Sequence, residues 1–377
     1  MARNPATEAQ ILFEKGNQCL AARQFEQALT YLDESLNLHA QNAEAWECRG
    51  WVLTYLKQYD AALVSFEKSL VIDENNLRVW LNRGLLLAEI EQHETAISSF
   101  DQVIIREPHH YEAWGNRATS LIQLNRNSEA VGCYDRALKI NPSYYKAWSN
   151  RGNALVNIGR LKAALYSFNK ALSLQPDDPE VWYNQGCVYL ALENYEKSVA
   201  SYDKAIEIQP NHVSAWLNKG VALAGLNQPE FELACYDRAI AIDPQETHAW
   251  NNRGLALRQM GQTQEAIAAY EVALQCDPQN YEAWDNRGYA LIKLGKYQEA
   301  LTSIENALRV KPDHTDSLYN KGYCYTCQGQ IKLAIDYITR AIQLDPQKYL
   351  SAAKTDPDLA RLRDNEQFLA LLRSSFM

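Results

Sequence analysis

The sequence lacks the features that mark several common classes of protein. No run approaches the roughly 18 consecutive apolar residues of a membrane-spanning helix, and the N-terminal MARNPATEAQ has no apolar stretch of signal-peptide type. Basic residues are in the minority, with 37 Lys and Arg against 46 Asp and Glu, a formal net charge of −9 and a pI near 5.4. We therefore expect a cytoplasmic protein without a transmembrane segment and without a surface for nucleic acid or anionic lipid.

Signatures of catalysis and of metal binding are missing as well. The chain has no glycine-rich phosphate loop, no nucleophile motif and no paired-carboxylate signature. Its eight cysteines are scattered, which is typical of reduced thiols in the cytosol. Cys324 and Cys327 form one CxxC, but no second ligand pair is spaced for zinc. We expect no catalytic residue, no metal and no cofactor, and thus a protein that is not an enzyme.

What the sequence does contain is a strict repeat of 34 residues, carried by eight of its nine tryptophans. The apolar residues one repeat before and one repeat after this ladder are Leu12 and Leu318. A period of this length indicates a solenoid. The ladder consists of Trp46, Trp80, Trp114, Trp148, Trp182, Trp216, Trp250 and Trp284.

With the ladder residue placed at position 4, ten repeats cover residues 9–348. They start at residues 9, 43, 77, 111, 145, 179, 213, 247, 281 and 315. Residues 1–8 form an N-terminal tail in this division. Residues 349–377 leave the repeat, and their apolar residues, among them Leu359, Leu362 and Phe368, predict closing helices that cover the last apolar face.

Each repeat reads as a hairpin of two helices, A and B. Apolar positions 4, 11 and 14 share one face of helix A, and positions 20, 24 and 28 share one face of helix B. Position 8 is glycine in nine repeats, so the two helices approach closely there. Glycines at position 15, which are Gly159, Gly261, Gly295 and Gly329, end helix A. Proline at position 32 ends helix B in eight repeats.

This pattern resembles the tetratricopeptide repeat family over about nine-tenths of the chain. The match is W-x₃-G-x₂-L followed by alanine, an aromatic residue, alanine and proline at the family's offsets. The resemblance implies an all-α fold, a right-handed superhelical solenoid with a C-terminal capping helix. It departs from the family in the seventh repeat, where Glu232 replaces the expected alanine and needs a partner.

A second row of identical residues lies on the other side of helix A. Position 6 is asparagine in eight consecutive repeats, whereas the first two repeats carry Glu14 and Cys48 and thus differ from the rest. A carboxamide both donates and accepts hydrogen bonds, so a row of them can hold the peptide groups of an extended chain. The row resembles the asparagine ladders of peptide-binding repeat superhelices, and the alternative is bonding between neighbouring repeats. Its members are Asn82, Asn116, Asn150, Asn184, Asn218, Asn252, Asn286 and Asn320.

Aromatic residues at positions 5, 9 and 13 of helix A accompany the asparagines. They are expected to anchor a partner or else to pack between adjacent A helices. The candidate groove residues among them are Trp51, Tyr183, Tyr289, Tyr319 and Tyr323. Position 2 is often acidic, so the bound segment is expected to be neutral or basic. No repeat has the lysine at position 5 that clamps acidic chaperone tails, which excludes that class of partner.

Arginine recurs at position 7, as in Arg117 and Arg151, and is interpreted as structural. Acidic residues at position 25, such as Asp101 and Asp135, are its expected partners. The leading hypothesis for function is a scaffold or adaptor whose groove binds extended segments of partner proteins. The other hypothesis is a structural scaffold that self-associates through its ends or its convex face, which leaves an oligomer open.

Overall fold

The computed structural model describes residues 5–374, and every regular element in that range is a helix. There are 22 α-helices and one 3-10 helix. The first eleven are α1 (Pro5–Ala21), α2 (Phe25–Leu38), α3 (Ala43–Tyr55), α4 (Tyr59–Ile72), α5 (Leu77–Glu89), α6 (His93–Arg106), α7 (Tyr111–Gln123), α8 (Asn127–Ile140), α9 (Tyr145–Asn157), α10 (Leu161–Leu174) and α11 (Pro179–Ala191).

The remaining helices continue the same alternation as far as α20. They are α12 (Tyr195–Ile208), α13 (Val213–Gly225), α14 (Pro229–Ile242), α15 (Thr247–Gln259), α16 (Thr263–Cys276), α17 (Tyr281–Lys293), α18 (Tyr297–Val310), α19 (Thr315–Cys327), α20 (Ile331–Leu344), α21 (Pro346–Thr355), the 3-10 helix Pro357–Leu362 and α22 (Glu366–Ser374). Odd-numbered helices up to α19 are the A helices, and even-numbered helices up to α20 are the B helices. The predicted all-α solenoid of helical hairpins is therefore confirmed.

The chain divides into two compact units, an N-terminal unit of Met1–Asn184 and a C-terminal unit of Gln185–Met377. Their boundary falls inside the sequence of α11. In both units A helices pack against the B helices that follow them, as α1 does against α2 and α15 against α16. Within the N-terminal unit, α2 also packs against α3 and α6 against α7, so successive hairpins stack; α14 against α15 and α16 against α17 do so in the C-terminal unit.

The close approach of helices A and B depends on the glycine at position 8. A Cβ atom on Gly254 would lie 2.4 Å from the Tyr270 ring, and one on Gly152 would lie 2.4 Å from the Phe168 ring. Both rings are fully buried. Because protein interiors are close-packed, the ring at position 24 fits only when position 8 has no side chain.

The turn between helices A and B has a left-handed residue at position 15 in all ten repeats. Gly159, Gly261, Gly295 and Gly329 have φ angles of 72° to 80°, which confirms their predicted role. The other six repeats place a larger residue in the same conformation, with φ between 55° and 62°. These residues are Arg23, Lys57, Glu91, Asn125, Glu193 and Asn227.

The tryptophans of the ladder are half-buried. Each indole Nε1 donates a hydrogen bond to the carbonyl six residues earlier, as Trp148 does to Pro142 at 2.8 Å and Trp250 to Pro244 at 2.9 Å. An indole with its N–H at the edge suits such a site, since it buries its ring while satisfying its donor. The tryptophans thus fasten the start of helix A to the preceding turn.

The segment after the last hairpin closes the C-terminal unit, as predicted. Leu359, Leu362 and Phe368 are fully buried in one core with residues of α19 and α20. The Asp345 side chain caps α21 by accepting a hydrogen bond from the Lys348 amide at 3.0 Å. α21 begins at Pro346, and α1 begins at Pro5, inside the segment proposed as a tail.

Candidate functional site

The asparagines at position 6 are half-buried rather than exposed. Asn82 is 8% exposed, and the other seven have intermediate burial. Their helix faces are therefore partly covered by the neighbouring A helices. Because each carboxamide is only partly exposed, the hydrogen bonds that it already makes within the protein determine which of its donors and acceptors are free for a ligand.

In the N-terminal unit, two of the four asparagines bond to other side chains. Asn184 Nδ2 donates to Asn153 Oδ1 of the preceding repeat at 3.2 Å, and Asn150 pairs with the Tyr134 hydroxyl. Asn82 Nδ2 is buried without a partner. Asn116 lines a cavity described below.

In the C-terminal unit, the pairs follow the residue at position 5 or 9 of the preceding repeat. Asn286 donates to Asn251 at 3.0 Å, and Asn320 donates to both oxygens of Asp285 at 3.1 and 3.0 Å. Asn218 Nδ2 lies 3.7 Å from Cys187 Sγ. Bonding between neighbouring repeats, the alternative interpretation of the row, therefore operates in this unit. A carboxamide still has a second N–H and a carbonyl to offer.

The sequence did not reveal that position 5 carries buried polar residues, two of which, Asn251 and Asp285, are partners of the asparagine row. Glu47, Asn251 and Asp285 are 2%, 3% and 6% exposed. Glu47 accepts a bidentate ion pair from Arg78, with Nε to Oε1 at 2.7 Å and Nη2 to Oε2 at 3.0 Å. The sequence does show a polar residue at position 5 in the repeat that precedes an asparagine. That pattern is the one sign from which these buried residues could have been predicted.

The five aromatic candidates fall into different environments. Tyr319 and Tyr323 are 9% and 7% exposed, because the closing segment covers them; the Tyr319 hydroxyl donates to Asp356 at 2.9 Å. The expectation that these two face a ligand is therefore corrected. Trp51, Tyr183 and Tyr289 are half-buried. The Tyr289 ring packs 6.3 Å from that of Tyr323, as the packing alternative expects.

One cavity of the C-terminal unit, here called the asparagine cavity, brings three consecutive members of the row together. It has a volume of about 430 Å³ and is lined by Asn252, Asn286 and Asn320. Tyr289 and Arg258 also line it, and the Arg258 guanidinium lies 4.8 Å from the centre of the Tyr289 ring. The cavity thus combines amide groups, an aromatic face and a cation.

Three acidic residues border the asparagine cavity. Burial raises the pKa of Asp285, although hydrogen bonds from Asn320 and Ser317 oppose that shift. Burial also acts on Asp316, but hydrogen bonds from Lys348 and Tyr349 outweigh it and hold the pKa of Asp316 below its ordinary value. Glu282 is exposed. Arg258 lines the same cavity, and Lys348 pairs with Asp316 at 2.7 Å, so the border carries a small excess of negative charge.

A second cavity lies in the N-terminal unit and is here called the serine cavity. Its volume is about 370 Å³, and it is formed by α5, the start of α6 and α7. Asn116 and Ser120 line it together with His93. The Ser120 Oγ and His93 Nδ1 atoms are both buried without a hydrogen-bond partner.

The first two repeats present an aromatic cleft in place of asparagines. Trp51 and Tyr55 line it with Phe25, and its volume is about 490 Å³. The Phe25 and Tyr55 rings stack with centroids 4.7 Å apart. Glu14 and Cys48, which stand where later repeats have asparagine, do not line this cleft.

The position-7 cations are structural, which confirms their interpretation. Arg117 Nε lies 2.7 Å from Asp101 Oδ1, and Arg151 Nε lies 2.7 Å from Asp135 Oδ1. Each acid belongs to position 25 of the preceding repeat. The same pairing joins Arg49 to Asp33, Arg83 to Glu67, Lys219 to Asp203, Arg253 to Asp237, Arg287 to Glu271 and Lys321 to Glu305.

Three further observations concern metal, thiol and membrane chemistry. Within residues 5–374, no three His, Cys, Asp or Glu side chains come together to hold a metal ion. Burial raises the pKa of the Cys324 thiol to about 11, which keeps it protonated at neutral pH. No helix among the described residues has the length and apolarity to cross a membrane.

Fold and surface together define a solenoid of helical hairpins whose A helices carry the candidate site. Models of the tetratricopeptide repeat match residues 43–76, 81–143, 116–179, 179–212, 201–230, 235–268, 254–295 and 286–349. The chain belongs to the tetratricopeptide repeat family. Proteins of this family generally mediate protein–protein interactions and are typically not enzymes.

Two solved structures, Cut9 and a protein from Parabacteroides merdae, have the same fold. Cut9 in the APC/C hetero-tetramer Cut9–Hcn1 is 13% identical over 99% of this chain and 84% of its own, with a TM-score of 0.51. A tetratricopeptide repeat protein from Parabacteroides merdae is 17% identical over 71% of this chain and 99% of its own, with a TM-score of 0.54. YrrB, a repeat protein with an unusual peptide-binding site, is 26% identical over 50% of this chain and 97% of its own, with a TM-score of 0.43. No curated protein matches the sequence.

Proposed function

We propose that the protein is an interaction scaffold that binds an extended peptide segment along the A helices that carry the position-6 asparagines. The observation that carries the proposal is the asparagine cavity, where Asn252, Asn286 and Asn320 line one space. Their spacing along successive repeats suits a chain that runs across the A helices. Carboxamides recognise peptide groups, so the row holds the main chain and leaves side-chain selection to its neighbours.

The border of the asparagine cavity selects the charge of the ligand. Three acids, Glu282, Asp285 and Asp316, line it with Arg258. Lys348 pairs with Asp316, so a small excess of negative charge remains. Opposite charge across an interface favours one class of partner and repels the other. The bound segment is therefore neutral or basic. Tyr289 offers an aromatic surface on which an apolar or cationic side chain packs.

Two members of the row allow a test that spares the fold. The Asn116 side chain has no hydrogen bond among the described residues. The Asn252 side chain has only a long contact of 3.5 Å, which the Asn251 amide donates. Asn286 and Asn320, in contrast, satisfy buried partners. The double variant Asn116→Ala/Asn252→Ala therefore removes amides that a ligand uses while leaving the packing intact.

The experiment begins with capture from cell extract by the wild-type chain and the double variant side by side. Proteins lost from the variant are divided into overlapping peptides, and the dissociation constant of each bound peptide is measured by calorimetry. The hydrogen bond that a peptide loses in the unit where it binds is worth about two- to tenfold in affinity. The matched control, Asn306→Ala on helix α18, should bind as wild type does. Equal affinity of the double variant and the control with unchanged helicity would refute the proposal.

A second candidate, self-association, is favoured by one apolar patch on the helix-B side of the N-terminal unit. Val71 and Ile105 occupy the same position in adjacent hairpins and are 86% and 69% exposed. Replacing both by lysine should abolish any growth of particle mass with concentration in light scattering. A mass that stays monomeric over the whole range in the wild type removes this candidate.

A further inference from the structure

The serine cavity holds two buried polar atoms that the fold leaves unsatisfied. Ser120 is 1% exposed, and its Oγ has no hydrogen-bond partner. The His93 Nδ1 atom, at the start of α6, is also buried and has no hydrogen-bond partner. Because buried polar groups in folded proteins nearly all have partners, each exception calls for a group that completes it. Both residues line the same space.

Two of the other polar residues of the serine cavity are carboxylates. Glu89 and Glu91 line it, as do the carboxamides of Asn116 and Gln123, and no lysine or arginine does. The Thr119 hydroxyl is already engaged with the Gly115 carbonyl at 3.1 Å and with the Tyr134 hydroxyl at 3.0 Å. Arg126, later in the same repeat, is held by Glu129 at 2.7 Å. The cavity therefore presents negative charge without an internal counterion.

The floor of the serine cavity is apolar. Leu85 and Ala88 of α5 and the buried Phe100 of α6 form it. A volume of about 370 Å³ lies at the small end of the range for ligand pockets, which suits one side chain better than a whole peptide. Long basic side chains have this dual character, since an apolar stem carries a charged head with several donors.

We propose that the serine cavity is a pocket for one basic side chain, arginine or lysine, of the bound peptide. This inference rests on the proposed function, because Asn116 belongs both to the cavity and to the asparagine row. Asn116 holds the peptide group, and the adjacent side chain enters the cavity along Leu85. Its charged head donates to Glu89, Glu91 and the Ser120 hydroxyl.

The test uses small probes on the full-length chain. They are Nα-acetyl-arginine N-methylamide, the lysine equivalent, and the citrulline equivalent, which is an uncharged isostere of arginine. Binding is followed by NMR through the backbone amides of Asn116 and Ser120. Saturable shifts with either cation, and citrulline about tenfold weaker, support the pocket. The stronger of the two cations identifies the side chain.

Two variants separate binding from folding. Ser120→Ala should weaken the cation probe severalfold while leaving the melting temperature unchanged or higher, since it removes an unpaired buried hydroxyl. Ser69→Ala is the matched control, because Ser69 is fully buried and donates to the Ala43 carbonyl at 2.8 Å; it should lower the melting temperature and leave probe binding intact. Glu91→Gln should weaken the cation probe, whereas the exposed Glu196→Gln should not.

Equal binding of the arginine and citrulline probes, or no shift at Asn116 and Ser120, overturns the pocket. A Ser120→Ala variant that binds the cation as wild type does and melts lower also overturns it. These failures are distinct from failure of the proposed function. If a captured peptide still depends on Asn116 and Asn252 but shows no preference for a basic residue, only the pocket is lost.

Discussion

At the scale of single residues, position 15 decides how each hairpin turns. Four repeats have glycine there and six force a larger side chain into the left-handed conformation. An L-residue in that conformation costs about 1–2 kcal/mol. The sequence identifies the turn from its glycines, but it does not reveal that Lys57 or Glu193 adopts the same φ, because the lysine and glutamate there carry no local signal.

Two glycine substitutions should change stability in opposite directions. A Cβ atom at Gly261 would meet nothing within 4 Å, yet φ is +80°, so Gly261→Ala should lower the free energy of unfolding by about 1–2 kcal/mol. Gly132 lies in α8 with equal space and a helical φ, so Gly132→Ala should raise it by about 0.5–1 kcal/mol. Urea unfolding of both variants measures this. Losses of equal size would contradict the conformational argument.

Glu232 is the residue that departs from the repeat at a helix contact. It is 3% exposed, and one carboxyl oxygen has no partner. Burial raises its pKa above the ordinary 4.5, although a hydrogen bond with Tyr236 opposes the shift. Because its pKa is higher in the folded chain, this carboxyl contributes fully to stability only below about pH 4.5. The contribution is lost as the pH rises through the pKa of the folded state.

Glu232→Ala should therefore stabilise the protein at neutral pH. The expected gain in the free energy of unfolding is about 1 kcal/mol at pH 7, because an unsatisfied buried carboxylate is removed. The gain should shrink at pH 4, where the carboxyl is protonated in both states. Urea unfolding at the two pH values measures it. Glu230→Ala is the control, because Glu230 is exposed in the same helix. An equal gain in the control, or a gain in Glu232→Ala that does not depend on pH, would count against the explanation.

At the scale of helices, the repeat pattern predicts A and B but not what covers the last A helix. Tyr319 and Tyr323 have the positions of groove aromatics, and the sequence alone assigns them to a ligand. In the structure the closing segment covers them, and Tyr349 packs 5.1 Å from Tyr319. The direction in which residues 349–377 return depends on tertiary packing. No periodic signal carries that information.

The closing segment should make a large contribution to stability. Phe368 is fully buried in α22, so Phe368→Ala should lower the free energy of unfolding by about 3–5 kcal/mol. The exposed Gln367→Ala, in the same helix, should change it little. Urea denaturation followed by far-UV circular dichroism compares the two. Similar small effects would mean that α22 does not close the core.

At the scale of the whole molecule, a repeat protein is stabilised by contacts between neighbours in sequence. The described cores lie within one unit or the other, such as the cluster around Tyr134 and the cluster around Ile338. The period of 34 residues makes this predictable. Four asparagines of the row pair with position 5 or 9 of the preceding repeat, and this pairing is not predictable, because it depends on how adjacent A helices are offset.

A core substitution in one unit should therefore weaken that unit alone. Phe100 is fully buried in the N-terminal unit, and Phe100→Ala should lower the opening free energy of amides in α5–α8 by about 3–5 kcal/mol. Amides of α17–α20 should keep wild-type protection. Native-state hydrogen exchange resolves the two sets. A uniform loss across the chain would indicate a single cooperative core instead.

The central claim is that the position-6 asparagines hold the main chain of a peptide, and a double-mutant cycle with backbone N-methylation tests it most directly. Calorimetry gives the affinity of a captured peptide, and of versions methylated at one amide each, for wild type and for Asn252→Ala. At the amide that meets Asn252, methylation should weaken wild-type binding about tenfold and leave the variant's binding almost unchanged. Methylation effects of equal size in both proteins at every amide would contradict main-chain recognition by the row.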